Sequence, residues 1–128
     1  MQHSLSKSEK LCSRTKIEQL FADGQSFARF PLRIVYRIHP SEATNEQPQF
    51  FISVPKRKFK RAVKRVWLRR RVREAYRLHK EILPAMPQHT IDMAFLYIAS
   101  EQTNYAVIEK SMVEILQKLA SNINKDIL

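Results

Sequence analysis

Glycine occurs once in these 128 residues, at Gly24, and cysteine once, at Cys12. A single cysteine excludes an intrachain disulfide, fits a reducing compartment, and leaves no CxxC partner. No run of 18 apolar residues exists, which excludes a transmembrane helix. The opening MQHSLSKSEKL is polar and has no apolar signal-peptide core, so the expected compartment is the cytoplasm. His3, His39, His79 and His89 fall in four different segments, and none has a metal-ligand spacing to another. Acids are scarce too: 12 Asp plus Glu stand against 23 Lys plus Arg. There is no internal repeat and no low-complexity tract.

What the chain does have is enough apolar residue, 44%, for one core in one domain. It also has charge of one sign in one place. The stretch SVPKRKFKRAVKRVWLRRRVREAYRLHK spans residues 53–80. From Lys56 to Lys80 it holds 13 basic residues and one acid, Glu74. That window carries +12 of the net +11, leaving the remainder at −1. A nearly neutral protein with one strongly basic element points to a polyanion: nucleic acid first, an acidic membrane surface second.

Periodicity sorts the rest. Residues 1–13 read as a flexible arm, and residues 14–123 as a single domain. TKIEQLFADG reads as a short helix, with Thr15 and Glu18 forming a capping box and Gly24 supplying a left-handed C-cap. Residues 30–38 alternate, with Leu32, Ile34, Tyr36 and Ile38 on one buried face. Residues 50–54, FFISV, form a second strand, expected to pair antiparallel with the first across the polar loop HPSEATNEQPQ. Helical spacing of Leu68, Val72, Ala75, Tyr76, His79 and Leu83 predicts a helix over 59–82 with no clear N-cap, stopped by Pro84 and Pro87. TIDMAFLYIA suits a central strand. A final amphipathic helix carries Val107 or Ile108, Met112, Ile115, Leu116, Leu119 and Ile123, capped by Asn104 or Thr103. The class is α+β or an α/β sandwich: a small sheet with helices on one face and a basic crossover helix between strands.

On that helix Arg61, Arg65, Arg69, Arg73 and Arg77 recur every fourth residue and form one ridge beside the apolar stripe. Like charges at that spacing repel by a few tenths of a kcal/mol per pair. Arginine's planar fork suits phosphate and stacks on bases. A row of forks with a pitch of roughly 6 Å can follow a nucleic-acid backbone. A merely solvated face and a membrane-surface helix, given Trp67 and Tyr76 among the cations, are the competing readings.

These residues resemble the bacterial ribonuclease P protein components. That family's pattern is Ser-Val-x-Lys-Lys/Arg, a short gap, then Ala-Val-x-Arg-Asn-Arg-x-Lys-Arg-x-x-Arg-Glu-Ala. Ser53, Val54, Lys56 and Arg57 match the first part, and Ala62, Val63, Arg65, Arg69, Arg70, Arg73, Glu74 and Ala75 the second. FADGQSF and LRIVYRI also resemble the family's opening, so the likeness runs from about Leu11 to Leu119. One departure stands out: Arg65-Val66-Trp67 occupies the place of Arg-Asn-Arg. Val66 lacks the amide and Trp67 the cation, so those two contacts do not carry over. Trp67 can stack on a base or pack on the fold, and both readings stand.

The resemblance implies a mixed sheet of about four strands with three helices. It also implies a protein subunit that joins ribonuclease P RNA and helps remove the 5′ leader of precursor tRNA. Its RNA-binding residues here are Lys56, Arg57, Lys58, Lys60, Arg61, Lys64, Arg65, Arg69, Arg70, Arg73 and Arg77. By position, Ile17, Phe21, Tyr36 and Ser53 line a cleft for the single-stranded leader, with ordinary core packing as the alternative for each. A protein that cut RNA alone would need paired His or clustered carboxylates. Their scatter fits what the resemblance implies, that the chemistry and the magnesium it uses lie with the RNA partner. No catalytic residue, protein-held metal, membrane or small-molecule substrate is expected. A different basic RNA-binding module, such as a ribosomal or ribosome-assembly protein, is the alternative.

Overall fold

The computed structural model describes residue 5, residues 7–41 and residues 47–127. Residues 1–4 and 6 of the expected arm, and 42–46 of the polar loop, lie outside the described residues. The elements are α1 (Arg14–Asp23), β1 (Gln25–Arg29), β2 (Leu32–Pro40), β3 (Gln49–Ser53), α2 (Ala62–His79), β4 (His89–Tyr97) and α3 (Tyr105–Asp126). Short 3-10 turns at Lys7–Glu9 and Lys80–Ile82 precede α1 and follow α2.

β4 is the centre of the sheet, whose order is β1-β2-β4-β3. Six consecutive residues of β4, from Thr90 to Phe95, are buried, as a strand covered on both faces requires. β2 pairs with it antiparallel, Tyr36 opposite Met93, and β3 pairs with it parallel, Phe50 opposite Met93. The expected direct pairing of β2 with β3 is therefore wrong: β4 inserts between them. A parallel β3–β4 pair needs a crossover, and α2 supplies it. β1, the fourth strand, has no strong alternation in its sequence QSFAR and is only half-covered.

Helices cover both faces, not one. α2 and α3 pack on the face bearing Leu32, Ile34, Tyr36, Met93 and Phe95. α1 lies on the opposite face, where Leu20 and Ile17 meet Val35 and Ala94. Val35, read from the alternation as outward, is buried because α1 lies over it. The larger core is aromatic at its centre, with the Tyr76 ring 4.4 Å from Phe50 and 5.5 Å from Phe95. Burial pushes the Tyr76 phenol well above its usual range, with nearby Glu9 adding to the shift. α3 contributes Ile108, Met112, Ile115, Leu116, Leu119 and Ile123, all fully buried. Each such side chain stabilises the fold by about 1.5–3 kcal/mol. Asn104 caps α3, its side chain accepting from the Val107 N–H at 3.0 Å.

The caps of α1 differ from expectation. Ser13, not Thr15, is the N-cap and accepts from the Lys16 N–H. Glu18 instead meets Arg14 at 3.2 Å on the helix surface. Gly24 does end the helix, but in an extended conformation (φ −75°, ψ 156°). Its value is the space it leaves: a Cβ there would stand 2.2 Å from the Leu20 carbonyl oxygen and 3.0 Å from that of Tyr36.

Part of the segment read as an arm is seated on the sheet. Leu11 is buried, and its N–H donates to the Phe50 carbonyl at 2.9 Å. Lys10 forms a parallel bridge to Phe50, on the side of β3 away from β4. Glu9, buried, pairs with Lys80 just past α2 at 3.0 Å, and Gln49 donates to the Ser8 carbonyl.

Gly24→Ala should cost about 1–3 kcal/mol in urea unfolding, because the added methyl meets backbone that cannot swing away. An unchanged midpoint would show that the α1–β1 corner has room to shift.

Candidate nucleic-acid interface

α2 exists because one stripe can be buried. Leu68, Val72, Ala75 and Tyr76 pack fully into the core, and the cations take the remaining circumference. The helix is shorter than expected, ending at His79, with the 3-10 turn continuing to Ile82. Arg61 occupies its N-cap and makes no side-chain cap. Arg65 does related work from one turn in: its Nη1 donates to the carbonyls of Phe59 at 2.6 Å and Lys60 at 2.9 Å. Phe59 is buried edge-on to Tyr97, and Lys58 Nζ donates to the Ile98 carbonyl at 2.9 Å. Loop 55–61 is thus fastened at three points, leaving Lys56, Arg57, Lys60, Arg61 and Lys64 exposed.

The fourfold ridge does not act as one row. Arg65 is turned into the loop. Arg77 is held in two contacts by Glu74, at 2.6 and 3.0 Å. That bond holds the Glu74 carboxyl below its usual range, with Arg77, Arg71 and Arg73 adding charge attraction. Arg71 lies over the Trp67 ring at 4.7 Å. Trp67 itself is half-buried against the core, so packing takes one side of the indole and Arg71 a face of it. Arg69, Arg70 and Arg73, with the exposed loop cations, remain without an acidic partner at salt-bridge distance among the described residues.

The second predicted surface lies under α1. Phe21 is 49% exposed, and its ring stands edge-on to Phe51 at 6.0 Å. Ile17 is half-buried beside them. Ser53, two residues beyond Phe51, shares that sheet face and is half-buried. Tyr36 does not belong with them. It is 3% exposed on the opposite face, where its hydroxyl donates to Gln25 at 3.0 Å and accepts from Asn122 at 3.2 Å. The period of two decides this: Val35 faces α1, so Tyr36 must face α3. Phe51 and Leu96 are the cleft-face residues the sequence reading missed, since FFISV does not say which of its faces is which. Alternation within the buried β4 could not say either.

Among the described residues, His39 pairs with buried Asp92 at 3.1 Å and His79 with Glu109 at 3.0 Å. Each joins neighbouring elements of the fold. No group of three or more His, Cys, Asp or Glu gathers among the described residues. No helix among them is long and apolar enough to cross a membrane.

The described residues thus form an α+β domain with arginines on its crossover helix that lack an acidic partner among them, and with a half-open aromatic surface under α1, a charge pattern of the kind nucleic-acid-binding proteins carry. The family model for Ribonuclease P matches residues 5–120. A ribonuclease P protein component from Porphyromonas gingivalis strain ATCC 33277 is 38% identical over 122 residues, covering 93% of this chain and 88% of its own. The chain belongs to the ribonuclease P protein family. Among solved structures, the RNase P protein from Thermotoga maritima is similar at TM-score 0.65 and 20% identity, covering 86% of this chain and 96% of that one. The Staphylococcus aureus RNase P protein is similar at TM-score 0.64 and 22% identity, covering 89% and 96%. These two likenesses establish the fold.

Arg65→Met should lower stability by about 1–3 kcal/mol, because two loop carbonyls lose a charged donor. Arg70→Gln, with no internal partner, should move it by less than about 0.5 kcal/mol. Equal losses in urea unfolding would contradict this division of labour.

Proposed function

We propose that this chain is the protein subunit of a bacterial ribonuclease P and works bound to the catalytic RNA. The exposed cations of loop 55–61 and the open side of α2 meet the RNA subunit. The cleft of Ile17, Phe21, Phe51 and Ser53 receives the single-stranded 5′ leader of precursor tRNA, whose bases can stack on the open aromatic faces. Phosphodiester hydrolysis, and the magnesium it uses, belong to the RNA in this reading. The protein lowers repulsion between two polyanions, adds substrate affinity and positions the leader. The setting is the cytoplasm.

The observation that carries the reading is electrostatic. A window of +12 folds onto one helix and one loop, and the fold pairs only part of it internally. The remaining cations repel one another unless a polyanion lies against them. Counterion release on RNA binding supplies the driving force and makes affinity fall steeply with salt.

Reconstitution with bacterial ribonuclease P RNA tests the reading: leader removal at low magnesium should be faster with the protein than without it. No acceleration would defeat the proposal and favour another basic RNA-binding module. Replacing Arg69, Arg70 and Arg73 with Gln should flatten the log–log salt slope of RNA binding by about 2–3. Phe51→Ala should weaken binding of leader-bearing substrate by about 1–3 kcal/mol, with little change for leaderless tRNA. Tyr36→Phe should leave both affinities unchanged. A leader-specific loss on Tyr36→Phe would return that residue to the cleft.

A further inference from the structure

A groove of about 510 Å³ runs between the N-terminal 3-10 turn, the outer edge of β3 and α2. Phe51, whose ring meets Phe21 under α1, also borders this groove. Its apolar lining comes from Leu5, Phe50, Ile52 and Val66. Its cations come from two elements: Lys7 and Lys10 on one side, Arg69, Arg70 and Arg73 on the other. None of these five has an acidic partner at salt-bridge distance among the described residues. Val66 stands where the family pattern quoted above has Asn, so this wall is apolar where an amide would otherwise be.

We infer that this groove is a subsite for one unpaired nucleotide of the bound RNA, its base against Ile52 and Val66 and its phosphates among Arg69, Arg73 and Lys10. The inference rests on the ribonucleoprotein reading above and adds a site to it. Three observations favour a nucleotide over other occupants. The lining is apolar between cations contributed by two different elements, which suits an amphipathic anion. The cations are mostly arginine, whose forks fit phosphate. The seated 7–11 segment is tied in place through Leu11, Glu9 and Gln49, so one wall of the groove needs less ordering on binding. A second copy of the chain would bring the same +12 window towards itself, and charge opposes it. Val66 thus gives up a polar contact and gains a surface that accepts any base, because every base has an apolar face.

The test uses the full chain with labelled Val and Ile methyls, a short single-stranded oligoadenylate, and an abasic ribose-phosphate oligomer of the same length. Ring-current shifts at the Val66 and Ile52 methyls are expected with the oligoadenylate and not with the abasic oligomer. Arg69→Gln with Arg73→Gln should weaken that response at least fivefold. Val66→Glu should abolish it, and Ile52→Thr, which keeps a strand-forming residue, should reduce it. Methyl shifts confined to Ile17 and other residues of the α1 cleft, in a chain that still binds ribonuclease P RNA, would overturn the subsite and leave the functional reading standing. Equal shifts with the abasic oligomer would overturn the base contact. A chain that sediments as a dimer with its Val66 methyls already shielded from a soluble relaxation probe would assign the groove to a second copy instead. Failure to bind ribonuclease P RNA at all would remove both the subsite and the reading beneath it.

Discussion

The position of β4 governs the molecule. Once a strand of nine residues is buried on both faces, both faces must be covered and both flanking strands must pair with it. β2 comes in antiparallel and β3 parallel. The parallel pair forces a crossover, and the only segment between β3 and β4 long enough to make one is the basic helix. The most charged part of the chain is therefore built into the core by topology. It buries Leu68, Val72, Ala75 and Tyr76 and displays everything else. A surface so charged could have been a loose tail; here it is rigid because the sheet cannot close without it.

Rigidity divides the cations by task. Arg65 fastens the preceding loop, Arg71 covers Trp67, Arg77 is neutralised by Glu74, and Lys58 ties the loop to the end of β4. These four lessen repulsion or hold backbone and are less available to a partner. Arg69, Arg70, Arg73 and the loop tip have no such use within the fold. The set of cations left open is thus narrower than the basic window that encodes it, and its shape is set by the contacts the fold makes for itself. A helix that carries its own fasteners presents the remaining charges at fixed spacing, which favours a structured polyanion over a flexible one.

Much of this is legible in the sequence, for reasons that differ by element. α2, α3 and β4 carry long, strongly periodic or continuous apolar signals, and each was placed to within a few residues. The Asn104 cap and the crossover role of α2 also follow from local chemistry and order. Partner choice within the sheet did not, because β2 and β3 are adjacent in sequence and nothing local says that a strand 36 residues beyond β3 will part them. β1 is short and half-covered, so its pattern is weak. Gly24 was read through the commonest use of glycine at a helix end, whereas here a close approach to two carbonyls excludes a side chain. Tyr36 lies on the face opposite Ile17 and Phe21 through one step of strand register, and one residue is the whole difference between two faces. The two-sided covering of the sheet was missed for the same reason, since Val35 looks outward until α1 is laid over it. Trp67 was undecidable from sequence because its use depends on Arg71 one turn on.

The bridge from Lys10 to Phe50 has a further meaning. An edge strand offers unpaired amides and carbonyls to any passing chain, and β3 is such an edge, with an apolar floor at its flank. The protein occupies part of that edge with its own backbone and flanks the remainder with like charge. Copies meeting there repel one another, so these charges act as a colloidal safeguard. Salt screens that repulsion, so the guard on this edge weakens as ionic strength rises.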